Sequence, residues 1–207
     1  MRRGGDACLC QGWSDRGRGR SPRVPREDKG NADFGDVTDE ADVRRMVTDV
    51  IRQTGHIDSL VNLVGGFSPG PVMETDLSVW QKLGHERHVR LPAFKDACRS
   101  QGSRRAGRIL HIAARAALDP FPGAAAYIVA KSALVTLIRV LALELGGSGM
   151  RVNGILPTTI DTPLNRKSRP QADFSKWVQP AAIAQLLVFL SSEDSTAING
   201  ALIPIGS

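Results

Sequence analysis

Tyr127 and Lys131 are the side chains of this sequence whose types and spacing best suit acid–base chemistry, within Tyr127-Ile-Val-Ala-Lys131. Residues four apart lie on the same face of an α-helix. A lysine ammonium close to a phenol stabilises the phenolate, so we expect it to lower the tyrosine pKa from about 10. The pair therefore predicts a group that can donate or accept a proton near neutral pH. An ordinary surface pair on a helix would show the same spacing.

The residues around this pair predict helices that alternate with short apolar strands. A helix is expected to begin at Thr38, which can cap it, and to end at Gly55. Further helices are predicted at 127–146 and 180–192, and strands at 57–64, 108–113, 151–156 and 201–205. This alternation is typical of a parallel sheet covered by helices on both faces.

Ligands of such a sheet bind beyond the carboxyl ends of its strands. Short segments of polar or small residues follow three of the predicted strands: Asn62–Gly66, Ala113–Arg115 and Pro157–Thr162. The sequence therefore predicts a site at this edge. His111, inside a predicted strand, is expected to be a hydrogen-bonded core histidine and not a base. Trp177 fits simple packing of its own loop.

The composition favours one domain in a reducing compartment. The chain has 207 residues, of which 42% are hydrophobic, and its three cysteines do not form a disulfide framework, so we expect a cytoplasmic protein. We expect no membrane association, because no apolar run approaches the roughly 20 residues of a membrane helix. The net charge of +6 is too modest to indicate nucleic acid. Cys8 and Cys10 lack partners at metal-ligand spacing, so no metal is expected.

The N-terminal segment differs in character from the rest of the chain. Residues 1–35 are dominated by Gly, Pro and Arg and show neither helical nor strand periodicity, so they are predicted to form a disordered tail before a domain at 36–207. Residues 84–108 should supply a crossover helix, but nine of these 25 are Arg, Lys or His and Pro92 interrupts the pattern.

Five motifs in order resemble the short-chain dehydrogenase/reductase family over residues 36–207. This resemblance implies a Rossmann-like, doubly wound parallel sheet, NAD or NADP as cofactor, a small-molecule substrate and a homo-oligomer, dimer or tetramer. Tyr127 would be the catalytic proton donor, and Lys131 its electrostatic partner that also holds the nicotinamide ribose. For Trp177 the resemblance implies a second role, as part of a lid over the substrate. The motifs are Asp36-Val37 (adenine contact), Asn62-Leu-Val-Gly65 (for N-x-A-G), Tyr127 with Lys131, Pro157-Thr-Thr-Ile-Asp-Thr162 (for P-G-x-x-x-T, nicotinamide contact), and Asn199-Gly200.

One departure from the family concerns its catalytic serine, which is replaced by Ala114, thirteen residues before Tyr127. Losing one such donor to a developing oxyanion typically costs about 2.7–4 kcal/mol. The segments 114–119, 156–168 and 172–177 resemble dihydropteridine reductase, a branch that also carries alanine there and reduces a quinonoid pterin. The resemblance therefore implies hydride transfer from NAD(P)H to a carbonyl, quinonoid or pterin-like molecule.

A second departure concerns the glycine-rich turn, T-G-x-x-x-G-x-G, that normally follows the first strand. Gly12, Gly17 and Gly19 are present, but the sequence shows no apolar strand before them and no periodic helix after them. The N-terminal βαβ portion is therefore predicted to be truncated or replaced, which would leave neighbouring strand edges unpaired. The alternative function is a catalytically silent remnant that acts as a subunit partner, or the product of a truncated or misread gene.

Overall fold

Five parallel strands form a single sheet in the computed structural model, which describes residues 8–11 (backbone), 39–85 and 107–206. The sheet order follows the chain, β1-β2-β3-β4-β5. The predicted α/β class with a parallel, Rossmann-like sheet is confirmed. The strands are β1 Cys8–Gln11, β2 Ser59–Asn62, β3 Arg108–Ile112, β4 Arg151–Pro157 and β5 Leu202–Ile205; the helices within these ranges are α1 Glu40–Thr54, α2 Leu77–His85, α3 Ala125–Gly146, α4 Pro163–Ser168 and α5 Pro180–Ser191.

Helix α1 begins one residue later than its sequence predicts. The Asp39 carboxylate accepts hydrogen bonds from the backbone N–H groups of Ala41 (2.8 Å) and Asp42 (3.0 Å), so the prediction that Thr38 is the cap is wrong. A carboxylate at this position satisfies two free N–H groups and adds a negative charge at the positive end of the helix dipole. Gly55 ends the helix as predicted, with a left-handed φ of 82°.

Successive residues of a strand point to opposite faces of the sheet, so apolar side chains stand on both faces. Helices cover both. On one face, Ile109 and Leu156 pack against Ile138 of α3. On the other, Leu110 packs in a cluster with Leu190 of α5. Helices α2 and α4 are not predicted by the sequence, and residues 86–106, where a crossover helix is expected, lie outside the described residues.

Strand β1 contradicts the prediction that residues 1–35 are disordered throughout. Cys8–Gln11 pairs in parallel with Ser59–Asn62, so the β2 edge predicted to be unpaired has a partner. The edge of a parallel strand offers unsatisfied N–H and C=O groups, and these can recruit a short segment of weak β-propensity. The rest of the predicted tail lies outside the described residues.

Helix α3 also corrects an expectation. It is long and apolar enough, by length and composition alone, to cross a membrane, so the expectation that no apolar run approaches this length is wrong. Its Leu134, Ile138 and Leu141 are buried on the sheet. A helix that covers the core of a soluble protein passes the same test, so the finding is weak evidence for a membrane.

Candidate active site

The register of the sheet brings the predicted segments to one edge. Asn62 at the end of β2 pairs with His111 of β3, and Ile112 pairs with Ile155 of β4, so the segments that follow these strands leave the sheet side by side. A small cleft lies here between the turn after β2 and helix α3. It is lined by Asn62, Val64, Gly65, Gly66, Leu83, Tyr127, Ala130, Lys131 and Leu134.

Tyr127 lies in the first turn of α3 and packs against Leu83 and Ala130. The ring of Phe67 meets it edge-on, with centroids 5.0 Å apart. Burial of the phenol raises the pKa of Tyr127 to about 12. The prediction that Lys131 lowers this pKa is therefore wrong for the protein without ligand, because removal of the phenol from water dominates. Tyr127 is a neutral proton donor at neutral pH.

Lys131 is held between two strand ends. Its Nζ donates a hydrogen bond to the backbone oxygen of Ile112, at 3.0 Å, just where β3 ends. On the other side, a Cβ built on Gly65 would lie 3.0 Å from the same Nζ. Glycine at 65 therefore leaves room for the ammonium, which stands on the same helix face as Tyr127.

Asn62 and His111 form a buried polar pair beside the cleft. The Asn62 Oδ1 accepts from the Val64 N–H at 3.0 Å, and its Nδ2 lies 3.1 Å from His111 Nδ1. The prediction of a hydrogen-bonded core histidine is confirmed. Burial, and then the positive charge of Lys131, lower the pKa of His111 to about 4, so the imidazole is neutral near pH 7.

His111 is expected to make folding stability depend on pH. Its folded pKa of about 4 lies below the ordinary value of 6.5, so the unfolded chain binds the extra proton first as the pH falls. The contribution of the neutral His111 to the free energy of unfolding is complete above about pH 6.5 and is lost progressively as the pH falls to 4. It amounts to roughly 3 kcal/mol. Urea unfolding at several pH values should show a steeper acid loss in wild type than in His111→Asn. Parallel stability profiles would contradict this.

Ala114 occupies the place of the family's serine at the end of β3. The Ala113 N–H donates to the backbone oxygen of Ile155 at 2.8 Å, which continues the pairing with β4. Ala114 follows in an extended conformation and is only 5% exposed. The side chain at this position, where the resemblance places the family's serine, is a methyl group without a hydroxyl.

The other predicted cofactor residues lie farther along the edge. Pro157 ends β4 in a buried position, and Thr162 caps α4, where its Oγ1 accepts from the Asn165 N–H at 3.2 Å. Neither lines the cleft, but the Thr162 hydroxyl keeps its proton to donate. Asp36 and Val37 lie outside the described residues.

The loop after β4 is closed by an ion-pair network. The Asp161 carboxylate accepts two hydrogen bonds from Arg166 (2.5 and 2.7 Å) and one from Gln179 (2.9 Å), and they lower the pKa of Asp161 to about 2. The Arg166 guanidinium lies 4.6 Å from the ring centroid of Phe174, which in turn packs on Trp177 at 4.8 Å. Trp177 thus takes part in the packing of its own loop.

Sequence reasoning missed the contacts that shape the cleft wall. Phe67 follows Gly65-Gly66 directly, and that position was the only local signal for its approach to Tyr127. Leu83 lies on helix α2, which the sequence did not predict. The Ile112 carbonyl could not be foreseen as the partner of Lys131, because nineteen residues separate them.

Known proteins are similar to this chain in sequence. The family model described as enoyl-(acyl carrier protein) reductase matches residues 13–206. Meso-2,3-butanediol dehydrogenase of Serratia marcescens is 30% identical over 178 residues, which cover 82% of this chain and 71% of that protein. The chain belongs to the short-chain dehydrogenase/reductase family. D-threitol dehydrogenase of Mycolicibacterium smegmatis is 34% identical over 179 residues, 80% of this chain and 68% of that protein.

Solved structures are similar to this chain in fold. ElxO with NADP bound has a TM-score of 0.72 at 25% identity and covers 82% of this chain and 74% of its own. NAD⁺-bound xylitol dehydrogenase has a TM-score of 0.72 at 23% identity, a likeness of fold alone, over 83% and 76% of the two chains. As a family member, this chain is an NAD(P)-dependent oxidoreductase. The dihydropteridine-reductase branch stays a prediction, since these matches do not separate the branches.

Proposed function

We propose that this short-chain dehydrogenase/reductase reduces a conjugated carbonyl, such as a quinonoid or pterin-like small molecule, with NAD(P)H as cofactor and Tyr127 as proton donor. The observation that carries the proposal is the meeting of Tyr127 and Lys131 in one cleft, with the phenol neutral. Two of the matched relatives are dehydrogenases by name and the family model is described as a reductase, so these matches do not favour the silent subunit partner.

The part of the cleft beside Lys131 suits the nicotinamide half of a dinucleotide. Glycine at 65 lets the Lys131 ammonium lie at this strand end, since a Cβ there would be 3.0 Å from Nζ. At the neighbouring strand end, the Thr158 Oγ1 is buried and has no hydrogen-bond partner in the part of the chain that the structure describes. When bound, the dinucleotide supplies the hydride. The residues that would hold it are Asn62, Gly65, Lys131, Pro157 and Thr162, with Asp36 and Val37 at the adenine.

The chain's own residues supply the proton chemistry. Tyr127 donates its phenolic proton to the substrate oxygen, and its neutral form at neutral pH is the form this step needs. The Lys131 ammonium, on the same helix face, would bind a ribose hydroxyl of the dinucleotide and would offset the negative charge of the phenolate that remains. Leu83, Ala130 and Phe67 exclude water around the phenol, which strengthens these electrostatic interactions.

The missing hydroxyl at Ala114 supports a conjugated acceptor. A simple ketone gathers negative charge on one oxygen during reduction and depends on a donor there. An electron-poor conjugated ring spreads the same charge over several atoms, so it loses less without that donor. The methyl group of Ala114 therefore favours quinonoid or pterin-like substrates over simple ketones.

The position of β1 supports dinucleotide binding by the whole chain. Gln11, its last residue, is level with Asn62, so β1 ends at the same edge as the cleft. In the sequence, Gly12 follows Gln11 directly, and Gly17 and Gly19 come six and eight residues after it. A strand followed by glycines is the order in which Rossmann-type proteins bind a pyrophosphate. This order replaces the expectation that no strand precedes these glycines.

Nucleotide binding tests the proposal first. Calorimetry with NADH and with NADPH is expected to give a Kd in the micromolar range for at least one of them. That nucleotide should raise the Tm with concentration, since it binds only the folded state. Turnover with quinonoid dihydropterin, a benzoquinone and a simple ketone then ranks the acceptors. A cooperatively folded protein that binds neither nucleotide would contradict the proposal.

Gly65→Ala is expected to weaken nucleotide binding severalfold, because its methyl group would lie 3.0 Å from the Lys131 Nζ and push the ammonium away from the ribose that it would bind. Calorimetric titration measures the change. Gly147→Ala is the control, because a Cβ there meets no atom within 4 Å. Equal affinities for both variants and wild type would show that Lys131 does not hold the nucleotide.

We also propose a cytoplasmic homo-oligomer, dimer or tetramer, that acts on a small molecule and not on nucleic acid or membranes. The outer face of α3 exposes apolar side chains, among them Leu143 at 83% exposure, together with Val129 and Val140. Apolar side chains at this density on one face support burial by a second copy. Sedimentation equilibrium should give two or four times the monomer mass, and a monomer at micromolar concentration would contradict this.

A further inference from the structure

His111, the buried partner of Asn62, has no part in the chemistry described above. The two residues face each other across β2 and β3 at 3% and 2% exposure. Burying an imidazole costs free energy unless its nitrogens are hydrogen-bonded, and Nε2 has no partner within residues 39–85 and 107–206. A leucine would fill this place at lower cost, so the polar pair calls for a reason.

The hydrogen bonds around Asn62 fix the state of the imidazole. The Val64 N–H can only donate, so the oxygen that it meets is Oδ1, and the amide NH₂ faces His111. The NH₂ group donates, so Nδ1 of His111 must accept with its lone pair. The imidazole is therefore neutral, with its proton on Nε2.

Two supports of Lys131 meet at this pair. The bond from Val64 to Asn62 shapes the turn that brings Gly65 against the Lys131 Nζ. Ile112, the residue after His111, provides the carbonyl that accepts from the same Nζ. A shift of the His111 imidazole would therefore disturb both contacts of the Lys131 ammonium, the one with the Gly65 turn and the one with the Ile112 carbonyl.

We propose that His111 is a positioning residue for Lys131: as a neutral acceptor it holds Asn62, and Asn62 holds the turn against which the Lys131 ammonium packs. The proposal depends on the proposed function in one respect, which is that Lys131 binds the nicotinamide ribose. The hydrogen-bonded state of His111 and the position of the Lys131 ammonium are properties of the protein without ligand, and both can be measured in that state.

The first test uses wild-type protein and needs no activity. Nitrogen-15 NMR resolves the rings of the four histidines, and His111 is the one whose signals are absent in His111→Asn. We expect the tautomer protonated at Nε2, without titration between about pH 5 and 8. The tautomer protonated at Nδ1, or a ring that titrates in this range, would overturn the proposal.

The second test compares two substitutions. His111→Leu removes the nitrogen that accepts a hydrogen bond from the Asn62 amide. His111→Asn introduces a side-chain oxygen that can still accept this bond. Acylation of the Lys131 amine by acetic anhydride, followed by mass spectrometry, should be several times faster in His111→Leu and unchanged in His111→Asn. The exposed Lys176 is the internal control. Equal rates at Lys131 in all three proteins would overturn the proposal, and if His111→Leu does not fold, the NMR result decides.

Nucleotide affinity separates this proposal from the proposed function. Leaving the buried Asn62 amide unsatisfied should raise the Kd for NADH or NADPH about tenfold in His111→Leu, and His111→Asn should stay within about twofold of wild type. The KM for nucleotide should rise more than kcat falls. If wild type binds no nucleotide, the proposed function fails, while the tautomer and the acylation rates still judge His111.

Discussion

Tyr127→Phe is expected to lower kcat about a thousandfold, within the 10²–10⁴ range typical of a positioned proton donor. The substitution removes only the phenolic hydroxyl, and the remaining ring keeps its packing against Leu83, Ala130 and Phe67. Stopped-flow absorbance of NAD(P)H during single turnover with a quinonoid acceptor would measure the chemical step directly.

The control for this variant is nucleotide binding. The phenol accounts for proton transfer and not for the fold, so the Kd for the nucleotide should stay within about threefold and the Tm within a few degrees. A large fall in both kcat and affinity would point to damaged structure. Unchanged turnover in a well-folded variant would remove Tyr127 from the mechanism.

Ala114→Ser is expected to raise kcat/KM for a simple ketone about a hundredfold, because one donor to a developing oxyanion is worth 10²–10³ in rate. The serine would place a hydroxyl at the end of β3, where the chain carries a methyl group. A conjugated acceptor should gain less than about threefold, since its charge is already delocalised. Steady-state kinetics with both substrate classes provide the comparison.

Ala113→Ser is the matched control for this gain. Ala113 is the preceding residue, similarly buried, and its backbone continues the pairing of β3 with β4. Neighbouring residues of an extended chain point to opposite sides, so a hydroxyl at 113 should give no gain with the ketone. Equal gains at 113 and 114, or none at 114, would refute the account of substrate choice based on Ala114.

Local spacing in the sequence determined the elements and the central pair. The apolar period of α1 and the Gly55 end required no tertiary information, because helical faces repeat every 3.6 residues. The same regularity placed Tyr127 and Lys131 on one face of α3. The strand ends carrying Asn62 and Pro157 could likewise be placed at one edge, since parallel strands share a direction.

Tertiary structure decided what surrounds those residues. The pKa of Tyr127 rises because neighbours distant in sequence remove it from water, and its spacing from Lys131 cannot reveal that. Lys131 meets the Ile112 carbonyl, and Asn62 meets His111 forty-nine residues away, only after the strands pair. Strand β1 forms for the same reason: an open edge of β2 supplies partners that its four residues do not specify alone. Burial and cross-strand contact depend on the whole chain, whereas periodicity depends on a few neighbours.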